Sequence, residues 1–194
     1  MELLIKFEKI ITMKKILFLI LAVTFTACNA PAEQVGAGFF TGAEGEKYVV
    51  GSDDLTDLWV KYIDAHNNRD IDAIMAMNTD DIAIQGPDGS TVEGKEMHAN
   101  VLTQWFEAEN PMWEIYWALP YEAVGSGDTW IVVGHSMTLM VDGEEVKKNS
   151  MIDVEIVDGL VNRFFVYDMM LPKPASACLL YTSDSADDRV SVYL

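Results

Sequence analysis

Residues 130–170 read WIVVGHSMTLMVDGEEVKKNSMIDVEIVDGLVNRFFVYDMM, and this stretch decides the fold. Ile131, Val133, Met137 and Leu139 recur with a period of two, as do Ile152, Val154 and Ile156, the pattern of strands that bury one face. Two Asp-Gly pairs, Asp142-Gly143 and Asp158-Gly159, interrupt the run, and each supplies the positive-φ chemistry of a two-residue hairpin. The spacing predicts strands over 130–141, 146–157 and 160–170. A further strand over 113–124 precedes them, joined through Gly125-Ser126-Gly127-Asp128. Together they form an antiparallel meander.

Upstream the period changes to that of a helix. Ser52 is a candidate N-cap, after which Leu55, Leu58, Trp59, Tyr62, Ile63 and His66 fall on one stripe. A second, shorter helix is expected over 70–77, with Ile71 and Ile74 inward and 78–81 closing it. A short strand over 82–85 follows, then the turn Gly86-Pro87-Asp88-Gly89, where Pro fixes φ and Gly frees it. A third helix over 95–107 puts His98, Val101, Leu102 and Trp105 on one face. Helices first and a meander afterwards make an α+β domain over 52–172, with three N-terminal helices packed on a curved antiparallel sheet. Such an arrangement leaves a pocket between helices and sheet.

The chain has 194 residues, half of them apolar, which suits one core. Its formal charge of −18 excludes nucleic acid and anionic lipid surfaces as partners. An acidic surface also stays hydrated in a salty habitat, so the charge names no cationic partner. Met13-Lys14-Lys15 and the apolar run that follows have the form of a signal peptide over 13–27, with an apolar segment too short to span a bilayer. Thr26-Ala27-Cys28 resembles a lipobox, with Phe25 in place of the usual Leu. That resemblance implies acylation of Cys28 and a lipid anchor in the bacterial cell envelope, periplasmic or outer-membrane, as the chain's one membrane contact. Residues 1–12 precede a better start and read as a misassigned one. Residues 28–51, rich in Gly and Ala, read as a flexible tether. The tail over 173–194 breaks the composition of the body, and its Cys178-Leu179-Leu180-Tyr181-Thr182-Ser183-Asp184 resembles translated adaptor read-through, hence a non-native end. Neither Cys is then free for a disulfide.

The order helix, short helix, strand, turn, helix, meander resembles that of nuclear-transport-factor-2-like (NTF2-like) domains, also called SnoaL-like. Local echoes of the ketosteroid isomerase branch are Tyr62-Ile63-Asp64, Asp70-Ile71-Asp72-Ala73-Ile74, Asp80-Asp81-Ile82-Ala83-Ile84, Gly86-Pro87-Asp88-Gly89 and Ile152-Asp153-Val154. The resemblance implies a cone-shaped fold over about residues 54–170. It also implies that Tyr62 matches a donor to a developing enolate oxygen, and that Asp153 matches a second donor, a carboxylic acid kept neutral by an apolar site. The family's base stands immediately before the turn Pro; here that residue is Gly86, which cannot take a proton. Asp81 and Gln85 lie nearby, but Gln85 points away from Gly86 and is no base.

Three candidate catalytic residues follow, Tyr62, His98 and Asp153, with His98 as the best remaining base and His135 the next. Asp153 shares a strand face with Glu155, opposite Ile152 and Val154, so it reaches a pocket only if that face lines one. Candidate ligand contacts are Trp59, Tyr62, His98, Trp105, Trp117, His135, Asp153 and Tyr167, with Arg163 beside Tyr167. His66, His98 and His135 show no i, i+4 pair, so no metal site is expected, and no cofactor is implied. The reading preferred on sequence is a membrane-tethered pocket for a small hydrophobic or carbonyl-bearing molecule, without catalysis because the base is missing. The alternative is an isomerase, cyclase or dehydratase with Tyr62 and Asp153 as oxyanion donors and His98 as base. A third reading is a homodimer through the open sheet face.

Overall fold

The computed structural model describes residues 35–171. Cys28, the leader over 13–27, residues 1–12 and the tail over 173–194 lie outside the described residues. Within them the chain runs β1 (Tyr48–Val50), α1 (Asp53–Asn67), α2 (Ile71–Ala76), β2 (Asn78–Gln85), β3 (Thr91–Glu93), α3 (Lys95–Glu109), β4 (Met112–Ala123), β5 (Thr129–Val141), β6 (Glu144–Val157) and β7 (Leu160–Met170). The strands form one sheet in the order β1-β4-β5-β6-β7-β2-β3. Every neighbouring pair is antiparallel except β2 with β7. This is the expected α+β architecture.

Local chemistry sets the boundaries. The Ser52 hydroxyl accepts from the Asp54 N–H, and Asp53 and Asp54 sit in the first turn of α1, where the helix dipole favours negative charge. Asp70 caps α2 in the same way, accepting from the Ala73 N–H. α3 stops at Asn110, in the left-handed region at φ 43°, whose N–H returns to the Phe106 carbonyl. Both hairpins take positive φ at both central residues: Asp142 at 52° and Gly143 at 82°, Asp158 at 51° and Gly159 at 76°. That is the geometry whose twist matches the flanking strands.

Two expectations are corrected. Residues 28–51 were expected to be tether throughout, but Tyr48–Val50 pair with β4, Tyr48 opposite Ala123 and Val50 opposite Tyr121. The free edge of β4 offers unpaired backbone groups, and a Tyr-Val-Val run suits a strand whatever the Gly content upstream. Likewise 78–81 do not close a helix. They open β2, with Asn78 beside Val161 of β7 and a register irregularity before Ala83. The polar run Asn78-Thr79-Asp80-Asp81 hid the first half of this strand because it carries no alternation, while the strand expected over 82–85 is its second half.

The helices cover one face of the sheet, with α1 against β4 and β5 and α3 against β2, β3 and β5. Trp59, Ile63, Ile74, Ile82, Leu102, Ile131, Val133, Val154 and Val161 pack there. Each such side chain, fully buried, contributes about 1.5–3 kcal/mol. An irregularity between Ile115 and Trp117 breaks the alternation of β4. Trp113 and Ile115 face the helices, yet Trp117 lies opposite Gly134 on the other face. Its indole occupies the space a Cβ on Gly134 would need. A bulge of this kind bends its strand and re-aims the residues beyond it.

Candidate functional site

A cavity of about 220 Å³ opens between the helices and the inner sheet face. Its interior is formed by buried residues, among them Trp59, Tyr62, His98, Ile152 and Phe164. Its mouth lies among less buried ones: Pro87 and Ser90 of the β2–β3 turn, Val101 and Trp105 of α3, and Lys148 and Asp168 of the sheet.

α1 contributes Trp59, Tyr62, Ile63 and His66, one helical stripe, because residues three and four apart share a face. Tyr62 stacks on Trp59 with ring centroids 5.0 Å apart and lies 4.5 Å from His66. Its hydroxyl is buried and has no hydrogen-bond partner. Burial pushes the phenol far above its usual range, opposed by the nearby Asn78 amide. Tyr62 is therefore neutral, a donor rather than a phenolate.

The three histidines are also neutral. His98 is held down at about 3, first by burial and then by His66. His66 and His135 are each lowered to about 4, chiefly by burial. Their hydrogen bonds fix their tautomers. His66 Nδ1 donates to the Tyr62 carbonyl at 2.7 Å. His135 Nε2 accepts from Trp59 Nε1 at 2.9 Å and its Nδ1 faces the Ser150 carbonyl at 3.4 Å, which makes His135 a satisfied core residue beneath the cavity. The Asn78 Nδ2 amine lies 3.1 Å from His98 Nδ1; with the amide so oriented, Nδ1 accepts and the proton sits on Nε2. So held, His98 is a hydrogen-bond donor and a poor base.

The sheet supplies the rest by alternation. Ser150 and Ile152 of β6 and Phe164, Val166 and Asp168 of β7 line the cavity, and the register places Ser150 opposite Asp168. Asp168 Oδ2 accepts from Lys148 Nζ at 2.5 Å, the two side chains being 14% and 17% exposed. Asp168 Oδ1 is buried without a partner. These are the formally charged residues among those lining the cavity, since the histidines are neutral.

Of the sequence candidates, Trp59, Tyr62, His98 and Trp105 come together on the cavity, and His135 lies just outside its lining. Asp153, Trp117 and Tyr167 do not. Asp153 sits on the outer sheet face, where its Oδ1 accepts from Tyr121 Oη at 2.7 Å. Burial raises its pKa, and the Tyr121 hydrogen bond opposes the rise. The inner face is taken by Ile152 and Val154, so the condition that Asp153's face line the pocket is not met. Trp117 is turned outward by the β4 bulge, and Tyr167 is 53% exposed. Arg163 is likewise outward, with its Nε 3.4 Å from Glu155. The residues missed were Lys148, Ser150 and Asp168. The signal was present: Phe164, Val166 and Asp168 alternate on one strand, so a carboxylate stands at the end of an apolar stripe. Gly86 does line the cavity, while Gln85 is exposed, as alternation required.

With this geometry in view, the fold is that of NTF2-like domains. Similar solved structures include a Mycobacterium tuberculosis LEH-like epoxide hydrolase, at 16% identity over 61% of this chain and 84% of that one, with a TM-score of 0.52. A candidate ketosteroid isomerase from Kribbella flavida aligns at 20% identity over 73% of this chain and 98% of its own, with a TM-score of 0.51. SalBIII, an epoxide hydrolase/cyclase-like enzyme of pyran ring formation in the polyether salinomycin, gives 19% identity, coverage of 61% and 92%, and a TM-score of 0.53. At such identities the likeness concerns architecture. No family model and no curated protein sequence matches the chain.

Proposed function

We propose that this domain binds a small, largely apolar molecule bearing a carbonyl oxygen, with Tyr62 donating to that oxygen. One observation carries the reading: the cavity is walled by aromatic and aliphatic side chains, yet Tyr62, in its interior, has a buried hydroxyl with no partner. An unmade buried hydrogen bond costs about 1–3 kcal/mol, a cost a ligand oxygen removes. Acetophenone titrated against the protein, followed by tryptophan fluorescence from Trp59, Trp105 and Trp113, tests this. Saturable quenching is expected, and Val101→Trp at the mouth should abolish it. Quenching unchanged in that variant would place the ligand elsewhere.

A second reading rests on Asp168. Gly86 leaves the position before the turn Pro without a base, but β7 brings a carboxylate to the same cavity. With Tyr62 polarising a carbonyl and Asp168 accepting a proton, the domain would work as an isomerase, cyclase or dehydratase. Turnover of a small β,γ-unsaturated ketone should then fall 10²- to 10⁴-fold in Asp168→Asn. Turnover that survives the substitution removes this reading.

The basic segment, short apolar run and small residues before Cys28 support anchoring of the domain to an envelope membrane by acylation. Cys28→Ser should release the protein into the soluble fraction; retention in washed membranes would sink that reading.

A further inference from the structure

Resting on the proposed pocket, we infer that the Lys148–Asp168 pair at the cavity mouth recognises a hydroxyl group on the ligand. The ligand class is thereby narrowed to neutral hydroxy ketones, with the carbonyl directed to Tyr62 and the hydroxyl to the pair.

The pair is placed by the sheet. Ser150 and Asp168 are opposite one another, Lys148 is two residues along β6 on the same face, and all three line the cavity. Asp168 spends one oxygen on the Lys148 ammonium at 2.5 Å and leaves Oδ1 buried and unpartnered. The ammonium has three N–H donors, so after one bond to Asp168 it keeps donating capacity. Donor and acceptor thus stand side by side at the cavity edge.

Charge decides which group fits. A ligand carboxylate drawn to Lys148 would meet the lone pairs of Asp168, and a ligand ammonium drawn to Asp168 would meet Lys148. A hydroxyl fits both, donating its proton to Asp168 Oδ1 and accepting from Lys148 Nζ. Bonds to charged groups are the stronger kind. Phe164, whose ring is 6.2 Å from His98, precedes Asp168 by four residues of β7, a rise of about 13 Å along an extended strand, so the cavity lining continues along β7 from Phe164 to the pair. With its carbonyl on Tyr62 and its hydroxyl on the pair, the ligand carries two oxygens with apolar carbon between them.

Calorimetric titration with two pairs of aryl ketones tests the inference: 4-hydroxyacetophenone and 4-(4-hydroxyphenyl)butan-2-one, each against its methyl ether, which accepts but cannot donate. At the length that spans the cavity, the phenol should bind about ten- to a hundredfold more tightly than its ether. Because removing one member alone would strand a charge, the variant of choice is Lys148→Met with Asp168→Leu, which should erase that preference while still binding the ether. Tyr62→Phe should weaken phenol and ether by the same factor and keep the preference. Equal affinity of phenol and ether at both lengths overturns the inference and leaves the pocket standing. Absence of binding by all four ketones overturns the pocket itself. A preference that persists in the double variant assigns the hydroxyl to other residues and also overturns the inference.

Discussion

The two faces of the sheet carry the same residue types arranged in opposite ways. On the outer face Tyr121 donates to Asp153 at 2.7 Å, and Tyr121, Trp130 and Phe165 stand nearly parallel, with ring centroids 6.3 and 6.4 Å apart. On the inner face Tyr62 and Asp168 each keep a buried polar atom with no partner. A tyrosine and an aspartate are thus satisfied by one another on one side and left open on the other. Residue type does not distinguish a site from a piece of scaffold; the state of its hydrogen bonds does.

The largest difference should appear in acid, because the inner face holds three neutral histidines near 3 to 4, well below the ordinary 6.5. Unfolding releases them to bind protons below about pH 6.5, so the unfolded state carries more protons than the folded one and stability falls as pH drops. At pH 5 each imidazole costs about 2 kcal/mol, against a typical total of about 5–15. The thermal midpoint should therefore fall by roughly 10–20 °C between pH 7 and 5. In His98→Gln the fall should shrink by about a third. A midpoint flat across that range would show that these rings are not held neutral by burial.

A smaller effect is expected at Gly86, which lines the cavity where the isomerase resemblance calls for a carboxylate. A Cβ there collides with the Ser90 hydroxyl and comes within 2.9 Å of Asp88 Oδ1. Gly86→Asp alone should destabilise by about 1–2 kcal/mol and gain no isomerase activity, since the new carboxylate must displace its neighbour and lies near Asp88. Ser90→Gly in the same chain should recover most of that stability, read from urea midpoints. Full stability in the single variant would mean that the turn moves freely, and would reopen Gly86 as a graftable base position.

How much of this was legible from the sequence follows from the same physics. The meander and three helices were readable because their apolar periods are long and bounded by Asp-Gly, Ser and Asp signals. The first half of β2 and all of β1 were not, since Asn78 to Asp81 show no alternation and Tyr48 to Val50 gain their partner only through the fold. Four of the eight ligand contacts expected reach the cavity, Trp59, Tyr62, His98 and Trp105, all from helices whose stripe is continuous. Trp117 was lost to a bulge, which counts one extra residue and carries no mark of its own. Asp153 was lost to analogy, which outweighed an alternation pattern that already placed it outward. Asp168 required knowing which of two strand faces is covered, and only the packing of α1 and α3 decides that.

The sharpest test of the comparison uses one change twice. Tyr121→Phe removes the donor to a half-buried carboxylate, so Asp153 loses a hydrogen bond made to a charged group. A cost of about 1 kcal/mol is expected, reduced from the buried value because water reaches this face. Tyr62→Phe removes a hydroxyl that has no partner to lose, and it relieves that group of its own desolvation. Its effect on the urea midpoint should be within about 0.5 kcal/mol of zero, with stabilisation the expected sign. Acetophenone binding should weaken in Tyr62→Phe and stay unchanged in Tyr121→Phe. Should Tyr62→Phe cost as much stability as Tyr121→Phe, then the inner hydroxyl already has a partner inside the protein, and the two faces differ in shape alone.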